Sequence, residues 1–132
     1  MTEDKSVGLT FIDGVVTGPK GESALRFLID TGAQYSLLPL AVWTSLGLVP
    51  TRRLAFNLAD GTRIERAISE CVIELPEIDG QKPRGHTPVI LGEPGDVALL
   101  GVVTLENLGL VFNPFDRSLR LMLESPLMRL VA

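Results

Sequence analysis

Residues 27–33 read Phe27-Leu28-Ile29-Asp30-Thr31-Gly32-Ala33 and place one carboxylate directly after an apolar run. The apolar residues predict a strand, and the small residues after Asp30 predict a tight turn. Glycine in that turn allows backbone to approach backbone where a β-carbon would clash. We therefore expect the carboxylate of Asp30 at the edge of a core. The Asp-Thr-Gly element occurs once in the chain.

The composition indicates one folded domain. The chain has 132 residues, of which 45% are hydrophobic and 5% aromatic, so we expect a core of aliphatic side chains. The formal net charge is −4 and the basic residues form no stripe, which argues against a nucleic-acid partner. No apolar run approaches the ~20 residues that span a membrane. The polar N-terminus and the single cysteine favour a cytoplasmic location.

Short apolar segments between Gly, Pro and Asp turns predict an all-β fold with one or two short helices. Helices are predicted at residues 39–46 and 102–108. Residues 24–29 barely alternate, which predicts a strand that is buried on both faces. Asp60-Gly61 predicts a two-residue hairpin turn. The other predicted strands are residues 7–16, 53–59, 62–75, 87–91, 97–100, 110–112 and 119–123.

A lone ionised aspartate is a poor catalyst, but two carboxylates held close together share a proton. One of them then acts as a base while the other acts as an acid. Such a pair can activate water against an amide bond, with a rate that is bell-shaped in pH and favours acidic conditions. The alternative for a single Asp-Thr-Gly is a turn aspartate whose carboxylate binds nearby N–H groups.

Further motifs extend the pattern around Asp30. Ser36-Leu37-Leu38-Pro39 follows the loop, Leu58-Ala59-Asp60-Gly61 lies in the central hairpin, and Ala98-Leu99-Leu100-Gly101 and Leu108-Gly109-Leu110 come later. Over residues 9–121 the chain resembles the retropepsin-like aspartic proteases, the family of retroviral proteases and their relatives, and most closely their small single-domain microbial members. The resemblance implies a closed-barrel-like acid-protease fold with one lobe per chain.

The resemblance also implies roles for individual residues. Asp30 is the expected catalytic carboxylate, Thr31 makes a hydroxyl contact between two active-site loops, and Gly32 offers its carbonyl to a peptide. Ala33 completes that loop. A ψ-shaped crossing behind the loop is expected from Leu99, Leu100 and Gly101. The flap over the substrate is expected at Leu58, Ala59, Asp60, Gly61 and Thr62, although Asp60-Gly61 is also compatible with an ordinary surface hairpin.

One Asp-Thr-Gly loop supplies half of a catalytic pair. Pepsin-like enzymes carry two such loops in one long chain, whereas this chain is too short for two lobes. The resemblance therefore implies a homodimer with one Asp30 from each chain and the site on the two-fold axis. We expect a single domain over residues 1–132, with a core at about 7–123. The apolar tail, residues 124–132, is expected either at the dimer interface or packed on its own subunit.

Two positions depart from the retroviral pattern. Many retroviral members pair an acid after Asp-Thr-Gly-Ala with an arginine after the later glycine, and here these positions are Gln34 and Val102. Both charges are absent together, so no buried charge is left unpaired and the loop must be supported in another way. Arg63 or Arg66 near a cleft would favour acidic groups in the substrate, or else be solvated.

Other chemistries find little support in the sequence. His86 lies in a polar loop without a serine elbow or an activated cysteine, and one His with one Cys provides no usual zinc site. We therefore predict an aspartic endopeptidase that cleaves peptide or protein substrates through two Asp30 carboxyls, with no metal and no organic cofactor. The alternative is a catalytically idle dimerisation or peptide-binding module with the same fold.

Overall fold

The computed structural model describes residues 3–4 and 9–122. Over these residues the chain is mostly β, with two short helices, α1 (Leu40–Ser45) and α2 (Val102–Asn107). The apolar tail at 124–132 lies outside the described residues. The strands are β1 (Glu3–Asp4), β2 (Phe11–Gly18), β3 (Gly21–Ile29), β4 (Ser36–Leu38), β5 (Arg52–Asn57), β6 (Arg63–Glu74), β7 (Arg84–Leu91), β8 (Leu99–Leu100), β9 (Leu110–Asn113) and β10 (Ser118–Leu121).

Most of the described strands belong to one sheet that closes on itself. The strand order is β1-β2-β3-β8-β4-β7-β6-β5, and β2 also pairs with β6. In this additional antiparallel pairing Val15 lies opposite Glu74 and Thr17 opposite Val72. The strand order gives β2, β3, β8, β4, β7 and β6 neighbours on both sides, and the β2–β6 pairing closes the sheet, so few strand edges remain unpaired. The predicted all-β, closed-barrel-like fold is therefore confirmed.

The core is aliphatic, with one large aromatic ring. Its fully buried hydrophobic side chains are Ile12, Val16, Phe27, Leu38, Ile68, Ile73, Leu75, Val89 and Leu100. Burial alternates along β3: Phe27 and Ile29 are buried, Leu28 is half-buried and Ala24 is exposed. The prediction that residues 24–29 are buried on both faces is wrong, because β3 presents alternate side chains to the core and to the outside of the closed sheet.

The two helices are short and lie beside the sheet. Pro39 comes directly before α1, and Gly47 follows its C-terminal turn with a φ of +71°. The indole N–H of Trp43 donates to the carbonyl oxygen of Gly92 at 2.9 Å, which fixes α1 to the segment after β7. No helix in the described ranges is long and apolar enough to cross a bilayer.

Candidate active site

The short strand β8 runs between the two strands that flank the Asp30 loop. Leu99 pairs in parallel with Leu28 of β3 and antiparallel with Leu37 of β4. The backbone N–H of Asp30 donates to the carbonyl oxygen of Leu100 at 3.0 Å. Leu99 and Leu100 therefore lie directly behind the loop, and Gly101 follows them at the start of α2.

The loop itself is a tight turn closed by its own hydrogen bonds. The N–H of Ala33 donates to the carbonyl oxygen of Asp30 at 3.1 Å, and the N–H of Gly32 donates to Asp30 Oδ1 at 2.9 Å. Asp30 is half-buried, whereas Thr31 and Gly32 are exposed. The Oδ1 atom of an ordinary turn aspartate accepts the same hydrogen bond, so the turn alone does not define a catalytic centre.

Three buried hydroxyl groups lie behind this turn. Ser36 Oγ accepts a hydrogen bond from the N–H of Gly101 at 2.9 Å and lies 2.5 Å from Thr104 Oγ1. Thr104 Oγ1 in turn lies 2.8 Å from Thr87 Oγ1. The three side chains are at most 1% exposed, and every buried side-chain N or O atom of the described residues has a partner. The cluster joins β4, β7 and α2.

Backbone hydrogen bonds add a second link between the loop and α2. The N–H of Val102 donates to the carbonyl oxygen of Ala33, and the N–H of Val103 donates to that of Gln34, both at 2.9 Å. Gln34 and Val102, which stand where many retroviral relatives carry an ion pair, are thus each bonded through the main chain to a residue next to the other. Together with the hydroxyl cluster, these bonds support the Asp30 loop in place of the absent ion pair.

The β5–β6 hairpin carries the five expected flap residues at its tip, and all five are exposed. The N–H of Leu58 donates to the carbonyl oxygen of Thr62 at 2.7 Å, and the N–H of Gly61 donates to that of Leu58 at 2.9 Å. The turn therefore contains three residues, Ala59, Asp60 and Gly61, and the predicted two-residue turn is wrong. Gly61 has a φ of +88°, as in hairpins that end in a glycine bulge.

Asp60 stabilises the flap tip as an ionised carboxylate. Hydrogen bonds from Thr62, first from its side chain and then from its backbone, hold the pKa of Asp60 below its ordinary value. The backbone bond runs from the N–H of Thr62 to Asp60 Oδ1 at 2.8 Å. The tip thus keeps its local geometry as long as this carboxylate stays ionised.

A cleft of about 380 Å³ lies between the Asp30 loop and the β5–β6 hairpin. The loop contributes Gly32, Ala33 and Tyr35 to its wall, and the hairpin contributes Phe56 and Ile64. The rings of Tyr35 and Phe56 meet edge to face, with centroids 6.2 Å apart and planes at 81°. This contact is a direct packing interaction between the loop region and the flap.

A second groove of about 380 Å³ lies on the other side of the same turn. Asp30 and Thr31 line it together with Leu9, Phe112 and Arg117, whereas Gly32 lines the cleft under the flap. Asp30 thus stands at the boundary between a cleft covered by the hairpin and a groove that opens towards the β9–β10 turn.

The other chemically reactive side chains lie apart from this site. Cys71 is buried in β6, and burial, followed by the charge of Glu70, raises the pKa of its thiol to about 12. His86 is exposed on β7. Among the described residues, no group of three or more His, Cys, Asp or Glu side chains converges in a way that suits a metal ion.

Comparison with known proteins places the chain in a family. A family model described as aspartyl protease matches residues 12–104. That span contains the Asp30 loop, the flap hairpin and β8, and it exceeds half of the chain. No curated protein matches the chain. The chain therefore belongs to this retropepsin-like family of aspartyl proteases.

The sequence missed two features of the site. The hydroxyl cluster was missed because Ser36 and Thr104 are 68 residues apart, and the motif that begins at Ser36 does not indicate a partner for its hydroxyl. The ion pair between Arg66 and Glu93 was missed for a similar reason, since the two residues are 27 positions apart. The one available signal was a serine between two apolar residues, Tyr35 and Leu37.

Proposed function

We propose that the chain is a homodimeric aspartic endopeptidase in which two Asp30 carboxyls, one from each subunit, activate a water molecule. One observation carries the proposal: Asp30 is half-buried on a turn fixed from behind by β8, and the same turn places Gly32 and Ala33 in the wall of a cleft under a hairpin. Membership of the aspartyl protease family supports the same chemistry.

The proposed step uses the two carboxyls in opposite protonation states. The ionised carboxyl takes a proton from water while the water oxygen bonds to the peptide carbonyl carbon, and the protonated carboxyl gives its proton to the carbonyl oxygen. The tetrahedral diol then collapses: the carboxyl protonated in the first step gives its proton to the leaving nitrogen, the other carboxylate takes the proton of one diol hydroxyl, and the C–N bond breaks as the carbonyl re-forms. The pair ends with one proton between its two carboxyls, as it began.

The proposed dimer follows from the single loop and from what the turn leaves accessible. Asp30 Oδ1 is held by the N–H of Gly32, and Oδ2 makes no hydrogen bond to the described residues. Thr31 is exposed beside it, with its hydroxyl available to a second copy of the loop. A two-fold axis next to this turn would bring two carboxyls together and complete the site.

The proposed substrate is an extended peptide that lies between the loop and the flap. The walls of the cleft are largely apolar and aromatic, which suits the side chains of a peptide. The exposed hairpin tip provides a lid that excludes water from the reacting groups. Its anchorage through Phe56 and Tyr35 supports a closed position over the cleft.

The test compares the wild-type protein with Asp30→Asn on a denatured protein mixture from acid to neutral pH. The wild type should cleave with a bell-shaped pH profile, and Asp30→Asn should lose activity by about 10²–10⁴-fold. Asp13→Asn is the matched control, because Asp13 is an exposed carboxylate that lines neither of the two grooves beside Asp30. Light scattering should show a dimer for all three proteins.

Two results would contradict the proposal. Equal inactivity of the wild type and Asp30→Asn over the whole pH range would favour an idle binding module. A strict monomer at high concentration would remove the second carboxyl that the mechanism requires.

A further inference from the structure

The cleft between the Asp30 loop and the β5–β6 hairpin, here called the flap-side cleft, has one charged residue among the described residues that line it, Arg66 on β6. Its closest lining neighbours along the hairpin are Phe56 and Ile64, and Ile90 and Leu99 lie on the body of the sheet. A cation in such apolar surroundings is costly unless a partner neutralises it. Here the partner is Glu93, whose Oε1 accepts a hydrogen bond from Arg66.

We propose that Glu93 determines the charge preference of this cleft. By neutralising Arg66, Glu93 makes the part of the cleft beside Arg66 favour an uncharged, apolar side chain of the peptide over an acidic one. This proposal rests on the proposed function of the cleft as a peptide-binding site. It also resolves the expectation that an arginine near the cleft favours acidic groups, because the pairing of Arg66 withdraws that attraction.

The two partners differ in exposure in the way that this role requires. The Arg66 side chain is 24% exposed to solvent, whereas the Glu93 side chain is 62% exposed. Arg66 therefore belongs to the wall of the cleft, and Glu93 reaches it from the more open side. Loss of Glu93 would leave a partly buried cation facing the cleft, free to bind another carboxylate.

The backbone fixes Glu93 without using its side chain. The N–H of Glu93 donates to Asp96 Oδ2 at 2.7 Å, and the N–H of Asp96 donates to the carbonyl oxygen of Glu93 at 3.0 Å. The N–H of the preceding residue, Gly92, donates to the carbonyl oxygen of Leu38 at 2.8 Å. Substitution of the Glu93 carboxylate should therefore leave this turn in place.

The other charged groups near the pair lie outside the cleft. A separate groove of about 210 Å³ is lined by Arg53, Glu65, Arg66 and Glu93. Arg53, Glu65 and Glu93 all line that groove and not the flap-side cleft, and of the two acids it is Glu93 that pairs with Arg66. The cleft should gain a net positive charge when the Glu93 carboxylate is removed.

The test uses Glu93→Gln, which keeps the length of the side chain and its amide oxygen but removes its charge. A mixture of peptides with varied sequences is cleaved, and the ratio of acidic to apolar residues is measured at each position around the cut. Glu93→Gln should raise this ratio by about tenfold at one position, the usual gain from one charge-assisted hydrogen bond. Arg66→Gln/Glu93→Gln should abolish the gain.

Asp13→Asn is again the matched control, since it removes an exposed carboxylate that is paired with Arg26 on β3. Its acidic-to-apolar ratio should stay at the wild-type value. The proposal is overturned if Glu93→Gln leaves the ratio within about twofold of the wild type at every position. It is also overturned if the double variant keeps the gain, because the acceptor of the acidic side chain is then not Arg66.

A binding measurement separates this proposal from the proposed catalysis. The same peptides are retained on immobilised Asp30→Asn, with and without Glu93→Gln, and the bound fraction is sequenced. A shift towards acidic peptides without cleavage by the wild type would support the role of Glu93 and contradict the protease. An absence of peptide binding by either protein would overturn the role of Glu93.

Discussion

Ser36 Oγ and Thr104 Oγ1 lie 2.5 Å apart in the interior, although the two residues are 68 positions apart in the chain. Both side chains are fully buried. Ser36 begins β4, and Thr104 lies in the middle of α2, so one hydrogen bond fixes the helix against the strand after the Asp30 loop. The N–H of Gly101 donates to the same serine oxygen and extends this link to the start of α2.

The first prediction concerns the loss of this hydroxyl group. Ser36→Ala leaves the N–H of Gly101 buried without its acceptor, whereas Thr104 keeps its hydrogen bond with Thr87. Unsatisfied buried groups cost about 1–3 kcal/mol each, so the free energy of unfolding in urea should fall by at least about 1 kcal/mol. The matched control is Ser45→Ala, whose hydroxyl lies on the exposed side of α1.

The control should change the free energy of unfolding by less than about 0.5 kcal/mol. Equal effects of Ser36→Ala and Ser45→Ala would mean that the buried hydroxyl cluster contributes nothing specific to stability.

The second prediction concerns space behind the loop. A β-carbon on Gly101 would lie 2.5 Å from the carbonyl carbon and 2.6 Å from the carbonyl oxygen of Tyr35. These are backbone atoms that cannot rotate away, and the φ of Gly101, −97°, is open to any residue. Gly101→Ala should therefore destabilise the fold by about 3 kcal/mol or more through the clash alone.

Gly61→Ala provides the comparison for Gly101→Ala. Gly61 has open space around it and a φ of +88°, so its substitution should cost only the backbone strain of about 1–2 kcal/mol. Thermal or urea unfolding of the two variants shows which substitution lowers the free energy of unfolding more. A smaller loss for Gly101→Ala than for Gly61→Ala would show that the segment behind the loop can move aside.

The third prediction concerns the flap tip in acid. Hydrogen bonds from Thr62 lower the pKa of Asp60 from its ordinary value of 3.8. The ionised carboxylate therefore stabilises the turn fully at any pH above 3.8. The contribution is lost only as the pH falls through the lower pKa of the folded protein. The flap turn should therefore stay intact in mildly acidic solution. An NMR titration of the Asp60 carboxyl should give a midpoint below 3.8.

Thr62→Val tests the cause of that shift, since it removes the hydroxyl but keeps the backbone N–H. The midpoint of Asp60 should move up towards 3.8 in this variant. A midpoint that does not move would assign the shift to something other than the Thr62 side chain.

The fourth prediction concerns stability in alkaline solution. Burial raises the pKa of the Cys71 thiol from 9.0 to about 12, so the thiol stays protonated in the folded protein while it ionises in the unfolded chain. The stabilising contribution is complete below about pH 9 and is lost as the pH rises towards 12. Over that window the wild type should lose about 1.4 kcal/mol per pH unit relative to Cys71→Ala.

Urea unfolding of both proteins at a series of pH values measures this difference. A constant difference between wild type and Cys71→Ala across the window would show that the thiol ionises equally easily in the folded protein.

The sequence predicted most elements, because their signals are local. Alternating apolar residues and glycine turns indicated the strands, and the segments after Pro39 and Gly101 indicated the two helices. The boundaries were less accurate where pairing recruits polar residues. β7 begins at Arg84 rather than at 87, because β6 provides partners for Gly85 and His86. Likewise β3 begins at Gly21, opposite Gly18 of β2.

The site was predictable only in its linear motifs. Asp30 and the Asp60-Gly61 hairpin stand out in the sequence, because the chemistry of each is contained in a few adjacent residues. The partners of Ser36 and of Arg66 come from distant strands and turns, and a single sequence carries no signal for such pairings. Burial is also set by closure of the sheet, which the pattern of residues 24–29 did not reveal.

The 12-residue strand β6 is held very differently at its two ends. From Ile68 to Glu74 it pairs with β7, and from Val72 to Glu74 it also pairs with β2, so its end has neighbours on both sides. From Arg63 to Ala67 it pairs only with β5. The β5–β6 hairpin is therefore attached to the closed sheet at only one end, near Ile68, and its tip can move without breaking the pairings of that sheet. Amide hydrogen exchange should be faster from Arg63 to Ala67 than from Ile68 to Glu74.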